Sequence, residues 1–506
     1  MNATKRKWML LAVVLLSLAV GFGYMEYNES RTCMGVRVVS DEILDSLTED
    51  PDMDVSEIFI DGNRIGGGTE LSTIFVSQPE ENCGQFSWFR GKLTVSQRGW
   101  KLYFLENAAI RDIPGALETS RPLKLIVTDG SRYRRINVVV TTLPVLYLEQ
   151  ESEYTRKKEG KKQEILVGSY LLFGKGAGYD AYQMESGHVE WHKRGHTSKL
   201  FEKCPWKLSL KDETGEKENR NFLGLGSDDD WILNSMVQDD TKVREISEIQ
   251  FWNRYLAGSA TPYPMSGAEY VELIVDGDYR GLYLLQRRVD RKYLNLDKES
   301  DILFKGVNTW EADTLAEGYE IVYSPFDTEE TYEALEDVLE AEGWNGIDLD
   351  SFLETSLYLN YFAARDNRAY KNMFYVLRWE DGRYVLYFVP WDTDMSMGIK
   401  WDEIFLYNYD ETMETLQQRL EYPEMEQLYP DLARRLSDRW SARRTSTYTE
   451  ENILGLLKTN IRLVNASGAY YRDNQRWGMH YDGADDQEQL LRWARERLDV
   501  LDQFYR

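Results

Sequence analysis

The chain has 506 residues, of which 42% are hydrophobic and 29% are charged, and its formal net charge is -26. This length predicts two or three folded domains, and the mean hydropathy of -0.54 excludes a membrane protein with many spans. The negative charge argues against a nucleic-acid-binding protein, because such proteins neutralise phosphates with a basic surface.

Residues 1–30 predict a cytoplasmic stub followed by a membrane anchor. Basic residues at positions 5 to 7 precede an uncharged run of 17 residues, and acidic residues follow it. The run just spans a bilayer at 1.5 Å per residue, and no Ala-x-Ala site follows it, which favours a single-pass anchor over a cleaved signal peptide without excluding the latter. The charge asymmetry predicts a cell membrane protein with most of the chain outside the cytoplasm.

Three cysteines fit that compartment. Cys33 and Cys83 both fall in the first extracytoplasmic segment, where they could pair and leave Cys204 alone. Three unlinked thiols in a reducing environment are the open alternative.

Residues 31–150 predict an all-β, sandwich-like module. Short alternating runs such as GVRVVS, STIFVSQ and GWKLYFLE follow one another, and Asp129-Gly130 separates two β-branched runs as in a hairpin. This segment assembles no catalytic chemistry, so we expect a spacer or an adhesive module.

Residues 151–506 predict an α+β domain that begins near the basic loop YTRKKEGKKQ. The runs HVEWHKRG and CPWKLSLK indicate strands, TKVREISEIQFWNRYLA indicates a helix, and Asp276-Gly277 indicates a second hairpin. The final helix has an apolar stripe, with acidic residues in its first turn. The stripe consists of Leu490, Trp493, Arg497, Leu501 and Phe504.

Polar residues gather around a third predicted hairpin. Asp366 and Asn372 lie where a helix turns into the strand MFYVLRW, and Asp392 and Asp394 follow the returning strand YVLYFVPW. Both ends of a hairpin meet at one edge, so we expect these side chains to converge. The simpler alternative is a turn cap for Asp392 and Asp394, and a helix end with an Asx turn for Asp366 and Asn372.

Such a group suits magnesium-dependent phosphoryl transfer. Hard divalent cations bind carboxylate and amide oxygens together with nucleotide phosphates, while a further aspartate orients the attacking hydroxyl. Protein kinases use an Asp, then an Asn a few residues later, then a metal-binding Asp after a hairpin, and the order here is the same.

Four ordered stretches resemble the CotH family, the spore-coat-protein-H-like atypical protein kinases. They are KRGHTSKLFEKCPWKLSL, WILNSMVQDDTKVREISEI, DGDYRGLYLLQRRVD, and the segment from Asp366 to PWDTDMSMG. RDNQRWG near the end resembles the terminal R-W motif of that family. The similarity extends over roughly residues 140 to 480.

The resemblance implies a divergent protein-kinase-like fold that transfers phosphate from ATP, with Mg²⁺ or Mn²⁺, to hydroxyl side chains of a surface or coat protein. Asp366 is then the catalytic base, Asn372 and Asp392 hold metal, and Asp394 either shares the metal or orients the loop. The implied nucleotide-binding residues are Arg194, Lys203, Lys207 and Gln286.

The sequence also departs from the family pattern. RGNST reads RGHTS, the paired lysines read Lys203-Cys204, and the glutamate that usually ends the GlYlL strand is Gln286. Each change removes a charge or donor from a place where a kinase contacts nucleotide or pairs lysine with carboxylate. A catalytically inactive envelope assembly factor or adhesin with the same fold is therefore the alternative function.

Overall fold

The structure is a computed structural model that describes residues 32–78, 92–106, 113–158, 161–176, 181–195, 198–307, 314–340, 345–367, 371–399, 431–477 and 483–505. It has mixed α and β content. Three parts follow one another along the chain: a β-module, a closed barrel, and a sheet surrounded by helices.

The β-module forms two sheets around a shared apolar core. The larger sheet has the order β1-β2-β8-β9-β10-β3, with β6 also paired to β10, and the smaller has the order β5-β4-β7. Asp129-Gly130 turns the chain between β9 and β10, as predicted. The elements are β1 (Thr32–Cys33), β2 (Val36–Val39), a 3₁₀ turn (Asp41–Ser46), β3 (Thr48–Glu49), β4 (Val55–Ile60), β5 (Asn63–Gly68), β6 (Thr73–Ser77), β7 (Leu93–Val95), β8 (Lys101–Leu105), α1 (Ile113–Thr119), β9 (Leu123–Thr128) and β10 (Arg132–Thr141).

Seven strands then close into a barrel in the order β11-β12-β13-β14-β17-β19-β18. Closure depends on a parallel pairing of residues 145–148 with residues 272–275. The predicted hairpin at Asp276-Gly277 joins β18 to β19, and both turn residues have positive φ, as a tight hairpin requires. The elements are β11 (Val145–Lys158), β12 (Lys161–Gly174), β13 (Gln183–Lys193), a 3₁₀ turn (Ser198–Leu200), β14 (Trp206–Lys211), β15 (Arg220–Asn221), β16 (Ser227–Asp228), β17 (Asp230–Asn234), α2 (Arg244–Tyr255), β18 (Ala268–Val275) and β19 (Asp278–Arg287).

The third part is a four-stranded sheet of order β21-β20-β22-β23 with helices packed on it. The predicted hairpin between β22 and β23 turns at Asp381-Gly382. The elements are β20 (Ile302–Gly306), α3 (Leu315–Gly318), β21 (Tyr319–Tyr323), α4 (Thr328–Glu340), α5 (Leu349–Phe362), a 3₁₀ turn (Arg365–Asn367), β22 (Met373–Glu380), β23 (Arg383–Pro390), α6 (Leu432–Arg444), α7 (Glu450–Ala466), α8 (Ala469–Trp477) and α9 (Gly483–Phe504).

The β-module packs directly against the barrel. The Tyr147 hydroxyl donates to the Phe75 carbonyl oxygen at 3.1 Å and accepts from the Phe75 N–H at 2.8 Å. The ring of Phe75 stacks on Tyr279 with the centroids 4.6 Å apart. The boundary predicted between residues 150 and 151 falls inside β11, because this barrel strand already begins at Val145.

Two predictions fall on residues that the structure does not describe. These are the anchor within residues 1–30 and the partner, residue 83, in the proposed pair with Cys33. None of the helices in the described ranges is long and apolar enough to cross a membrane. Cys204 is buried and unpaired.

The stripe predicted for the last helix needs one correction. Leu490, Trp493, Arg497 and Leu501 are buried, but Phe504 is 41% exposed. The adjacent Tyr505 occupies the core instead, where its ring packs on Trp440 at 5.6 Å.

Candidate functional site

The two ends of the β22–β23 hairpin meet at the candidate site. Met373 lies opposite Pro390, and the Trp391 N–H donates to the Asn372 carbonyl oxygen at 3.0 Å. Asn372 and Asp392 have φ values of 54° and 55°, a left-handed conformation that Asn and Asp tolerate better than most residues. Backbone strain of this kind concentrates at functional sites.

Asp366 joins this hairpin end from the helical side. Helix α5 ends at Ala363 in a left-handed conformation, and the 3₁₀ turn that follows carries Asp366. Its carboxylate accepts from Lys371 Nζ at 2.7 Å and from Asn372 Nδ2 at 2.8 Å. Since the Asn372 amide nitrogen is engaged in this way, its amide oxygen is the atom that can accept a donor or a cation.

A buried asparagine that the sequence did not single out holds the two chain ends together. Asn367 Nδ2 donates to the carbonyl oxygen of Asn372 at 2.7 Å and to that of Trp391 at 2.9 Å. The amide therefore fixes the separation between the strand that starts after Asn372 and the loop that starts after Trp391.

The other carboxylates of the site repel the negative charge of ionised Asp394. Burial raises its pKa well above the ordinary value, and repulsion from Asp392, Glu245 and Asp366 raises it further. These acids therefore interact electrostatically, and their joint role in metal binding stays a prediction. An acid cluster of this kind favours a bound cation, which relieves the repulsion.

Glu245, in the first turn of α2, extends the cluster, and sequence reasoning missed it. Gln286 Nε2 donates to its carboxylate at 2.7 Å, and Asn234 Nδ2 donates to the other oxygen. Burial raises the pKa of Glu245 to about 8, repulsion from Asp392 adds to this, and the Gln286 hydrogen bond and Arg194 oppose it. The carboxylate that the family pattern places at position 286 is thus absent there, but another lies one hydrogen bond away.

Two cations face the acids. The Arg194 guanidinium lies over the Trp391 ring, 6.0 Å from its centroid. Burial lowers the pKa of Arg194, while attraction to Asp392 and Glu245 acts in the opposite direction. Burial likewise lowers the pKa of Lys305 on β20, and Asp392 again opposes that effect. Lys305 was also missed, although a single charge within the apolar strand ILFKG is a usable signal.

Lys203 and Lys207 make other contacts. Lys203 Nζ lies 2.6 Å from Asp473 Oδ1 on α8 and donates to the Leu282 carbonyl oxygen at 2.8 Å. It is 2% exposed, and burial lowers its pKa to about 7. Lys207 Nζ donates to Asp230 Oδ2 at 2.8 Å. Within the described residues, neither lysine forms an ion pair with the hairpin carboxylates, and a nucleotide role for both stays a prediction.

The donor set fits a divalent cation that is completed by other ligands. No three Asp, Glu, His or Cys side chains in the described ranges are arranged to hold a metal by themselves. The Asn372 amide oxygen and the carboxylates of Asp392 and Asp394 are hard oxygen donors, and Mg²⁺ commonly takes only one or two carboxylates beside phosphates and water. Gln286 Oε1 is a buried acceptor with no hydrogen-bond partner among the described residues, as expected beside a polar ligand.

Comparison with known proteins agrees with this geometry. A search of curated proteins finds no match to the chain. A family model described as CotH kinase protein matches residues 192–501, more than half of the chain, and this range contains Arg194, Glu245, Asp366 and the whole hairpin. The chain therefore belongs to the CotH kinase protein family.

Proposed function

We propose that this chain is an active protein kinase that transfers the γ-phosphate of ATP to hydroxyl side chains of a protein. The observation that carries the proposal is the placement of Asp366, Asn372, Asp392 and Asp394 at one end of a single hairpin. A base and a set of hard oxygen donors lie side by side there, as phosphoryl transfer to a hydroxyl requires.

Asp366 orients the acceptor hydroxyl and takes up its proton as the oxygen attacks phosphorus. Lys371, 2.7 Å from the same carboxylate, adds a positive charge where the transferred phosphate is negative. Asn372 and Asp392 would hold Mg²⁺ or Mn²⁺, and Asp394 would share the ion or orient the loop. The bound ion would neutralise charge on the ATP phosphates.

Arg194 and Lys305 are the candidate phosphate contacts from this chain. Both interact electrostatically with Asp392, the proposed metal-binding carboxylate. Burial disfavours their charged forms, and a polyanionic ligand would offset that cost. Gln286 would orient Glu245, and through it Arg194.

The proposed anchor, which lies outside the catalytic domain, supports an extracytoplasmic location for this activity. The anchor proposed within residues 1–30 would tether the kinase to the cell membrane with its bulk extracytoplasmic. Its substrate would then be a surface or coat protein and not a nucleic acid, in accord with the net charge of -26.

The second candidate function is an inactive assembly factor or adhesin. Lys203 favours it, because this lysine is buried against Asp473 rather than directed at the acid cluster. The absence of a carboxylate at position 286 also favours the inactive assembly factor or adhesin.

An assay of labelled phosphate transfer distinguishes an active kinase from an inactive assembly factor or adhesin. Purified full-length protein would be incubated with labelled ATP and Mg²⁺ or Mn²⁺, with casein or the protein itself as acceptor. Kinase function predicts transfer that Asp366→Asn reduces at least about 10²-fold. Asp381→Asn, in the turn at the opposite end of the same hairpin, is the matched control and leaves transfer unchanged. Absence of transfer, together with no stabilisation by any nucleotide and metal, would leave only the binding role.

A further inference from the structure

The strands β11 and β12 continue past the barrel as a two-stranded ribbon. β11 pairs with β18 only over residues 145–148, and β12 pairs with β13 only from Leu166 onward. From residue 152 to residue 164 the two strands pair only with each other among the described residues, and the outer residues 151–157 are exposed. The ribbon therefore presents both faces and both edges to its surroundings.

The outer part of the ribbon is basic in a strongly acidic chain. Residues 156–162 include five basic residues and one acidic residue, whereas the chain as a whole carries -26. The register places Lys157 opposite Lys162 and Lys158 opposite Lys161. Like charges directly opposite on a strand pair are destabilising, so this arrangement costs stability unless an anion lies between them.

The ribbon extends from the side of the barrel that delivers Arg194 to the site. β12 runs antiparallel to β13 with Leu166 beside Trp191, so the residues before Leu166 continue in the direction in which β13 ends at Lys193. Arg194 follows immediately and faces Asp392. At about 3.3 Å per residue, the basic residues lie roughly 3–10 Å beyond the rim of the barrel, which is the level at which β13 ends, within reach of an extended chain held at the site.

We propose that this basic ribbon docks an acidic segment of the protein substrate, which deepens the proposed kinase function and rests on it. The ribbon would supply lysine charges to carboxylates several residues away from the acceptor hydroxyl. Its two unpaired edges also offer backbone groups to an extended peptide.

An acidic polypeptide fits this surface better than a lipid bilayer. The alternation of side chains puts Lys157 and Lys162 on one face of the ribbon and Arg156 on the other, with Arg156 Nη2 donating to Gln163 at 2.8 Å. A flat membrane cannot contact both of these faces at once, whereas a peptide can run along a face toward the rim.

The test uses two synthetic peptides with the same serine, one with four glutamates placed six to ten residues away and one with four glutamines instead. Wild-type full-length protein should bind the labelled acidic peptide more tightly in fluorescence anisotropy and phosphorylate it with a lower KM. Lys157→Gln/Lys162→Gln should weaken acidic-peptide binding about fivefold and bring the two KM values together. Lys298→Gln/Lys458→Gln removes the same charge from two other exposed positions and should keep the difference.

The outcomes separate the docking surface from the kinase. Acidic-peptide binding that depends on the ribbon, without phosphate transfer, would support docking and refute the proposed function. Equal binding of both peptides, or equal loss in the control variant, would overturn the docking proposal even if transfer is observed. Ribbon-dependent binding to phosphatidylglycerol vesicles, without ribbon-dependent peptide binding, would also overturn it. The thermal midpoint of the ribbon variant should equal or exceed that of wild type, since like-charge pairs are removed.

Discussion

Replacement of Glu245 by glutamine should change the pH dependence of stability. Glu245 is 3% exposed, and burial followed by repulsion from Asp392 raises its pKa from 4.5 to about 8. Between these values the native state keeps a proton that the unfolded state releases. The stability contribution of Glu245 is therefore fully present below about pH 4.5 and is lost as the pH rises through about 8.

The size of the effect follows from the same environment. At 1.36 kcal/mol per pKa unit, ionised Glu245 costs the metal-free protein up to about 5 kcal/mol at pH 8.5. The hydrogen bond from Gln286 Nε2, 2.7 Å long, opposes the rise in the pKa of Glu245, so its stabilisation of the ionised carboxylate is already contained in this cost. Glutamine does not titrate, so we expect the variant to differ little from wild type near pH 4.5 and to be about 4 kcal/mol more stable at pH 8.5.

Urea unfolding of the metal-free protein, followed by tryptophan fluorescence at both pH values, measures this. With an m-value of about 3 kcal/mol/M, the midpoint of Glu245→Gln should rise by about 1 M at pH 8.5. Glu451→Gln, at an exposed position of α7, is the control and should follow wild type. The reasoning is refuted if Glu245→Gln loses stability between the two pH values as steeply as wild type.

Further predictions concern the contacts around this acid and the buried lysine. Gln286→Glu puts a second carboxylate against Glu245 and should lower the urea midpoint at pH 8.5. The double variant Glu245→Gln/Gln286→Glu again has one carboxylate and one amide, so it should recover most of the lost midpoint. No recovery would contradict the pairing of these two residues. Asp473→Asn leaves Lys203 buried without its charged partner and should lower the free energy of unfolding by about 3–5 kcal/mol, so an unchanged urea midpoint would refute that ion pair. Gly281→Ala should lower the thermal midpoint, because a Cβ at φ +103° would lie 2.2 Å from Asp473 Oδ1; an unchanged midpoint would contradict this close approach.

Local patterns predicted much of the local structure. Asp129-Gly130 and Asp276-Gly277 both turn hairpins, and Gly130, Asp276 and Gly277 have the positive φ that Asp and Gly accept in a tight turn. The acid cluster could also be predicted, since residues on either side of a hairpin must meet at one edge.

Long-range contacts could not be predicted in this way. Barrel closure joins residues 145–148 to residues 272–275, and no local period specifies which strands meet across such a separation. The partner of Lys203 is Asp473, 270 positions away along the chain and on a helix, so the lysine's sequence neighbourhood carries no sign of it.

The missed site residues have a related explanation. Glu245 lies in a segment of mixed charge that resembles a solvated helix surface, and only packing of α2 against the barrel buries it. The contact with Gln286 then gives the altered position a carboxylate neighbour that one-dimensional motif comparison does not reveal.

The most direct test of the metal-binding hairpin is a crystal structure of the protein with Mn²⁺ and a non-hydrolysable ATP analogue, with manganese located by its anomalous scattering. The account predicts a manganese peak within about 2.5 Å of the Asn372 amide oxygen and of an Asp392 carboxylate oxygen, bridging to the analogue's phosphates. A nucleotide bound elsewhere, or manganese coordinated without these two residues, would contradict it.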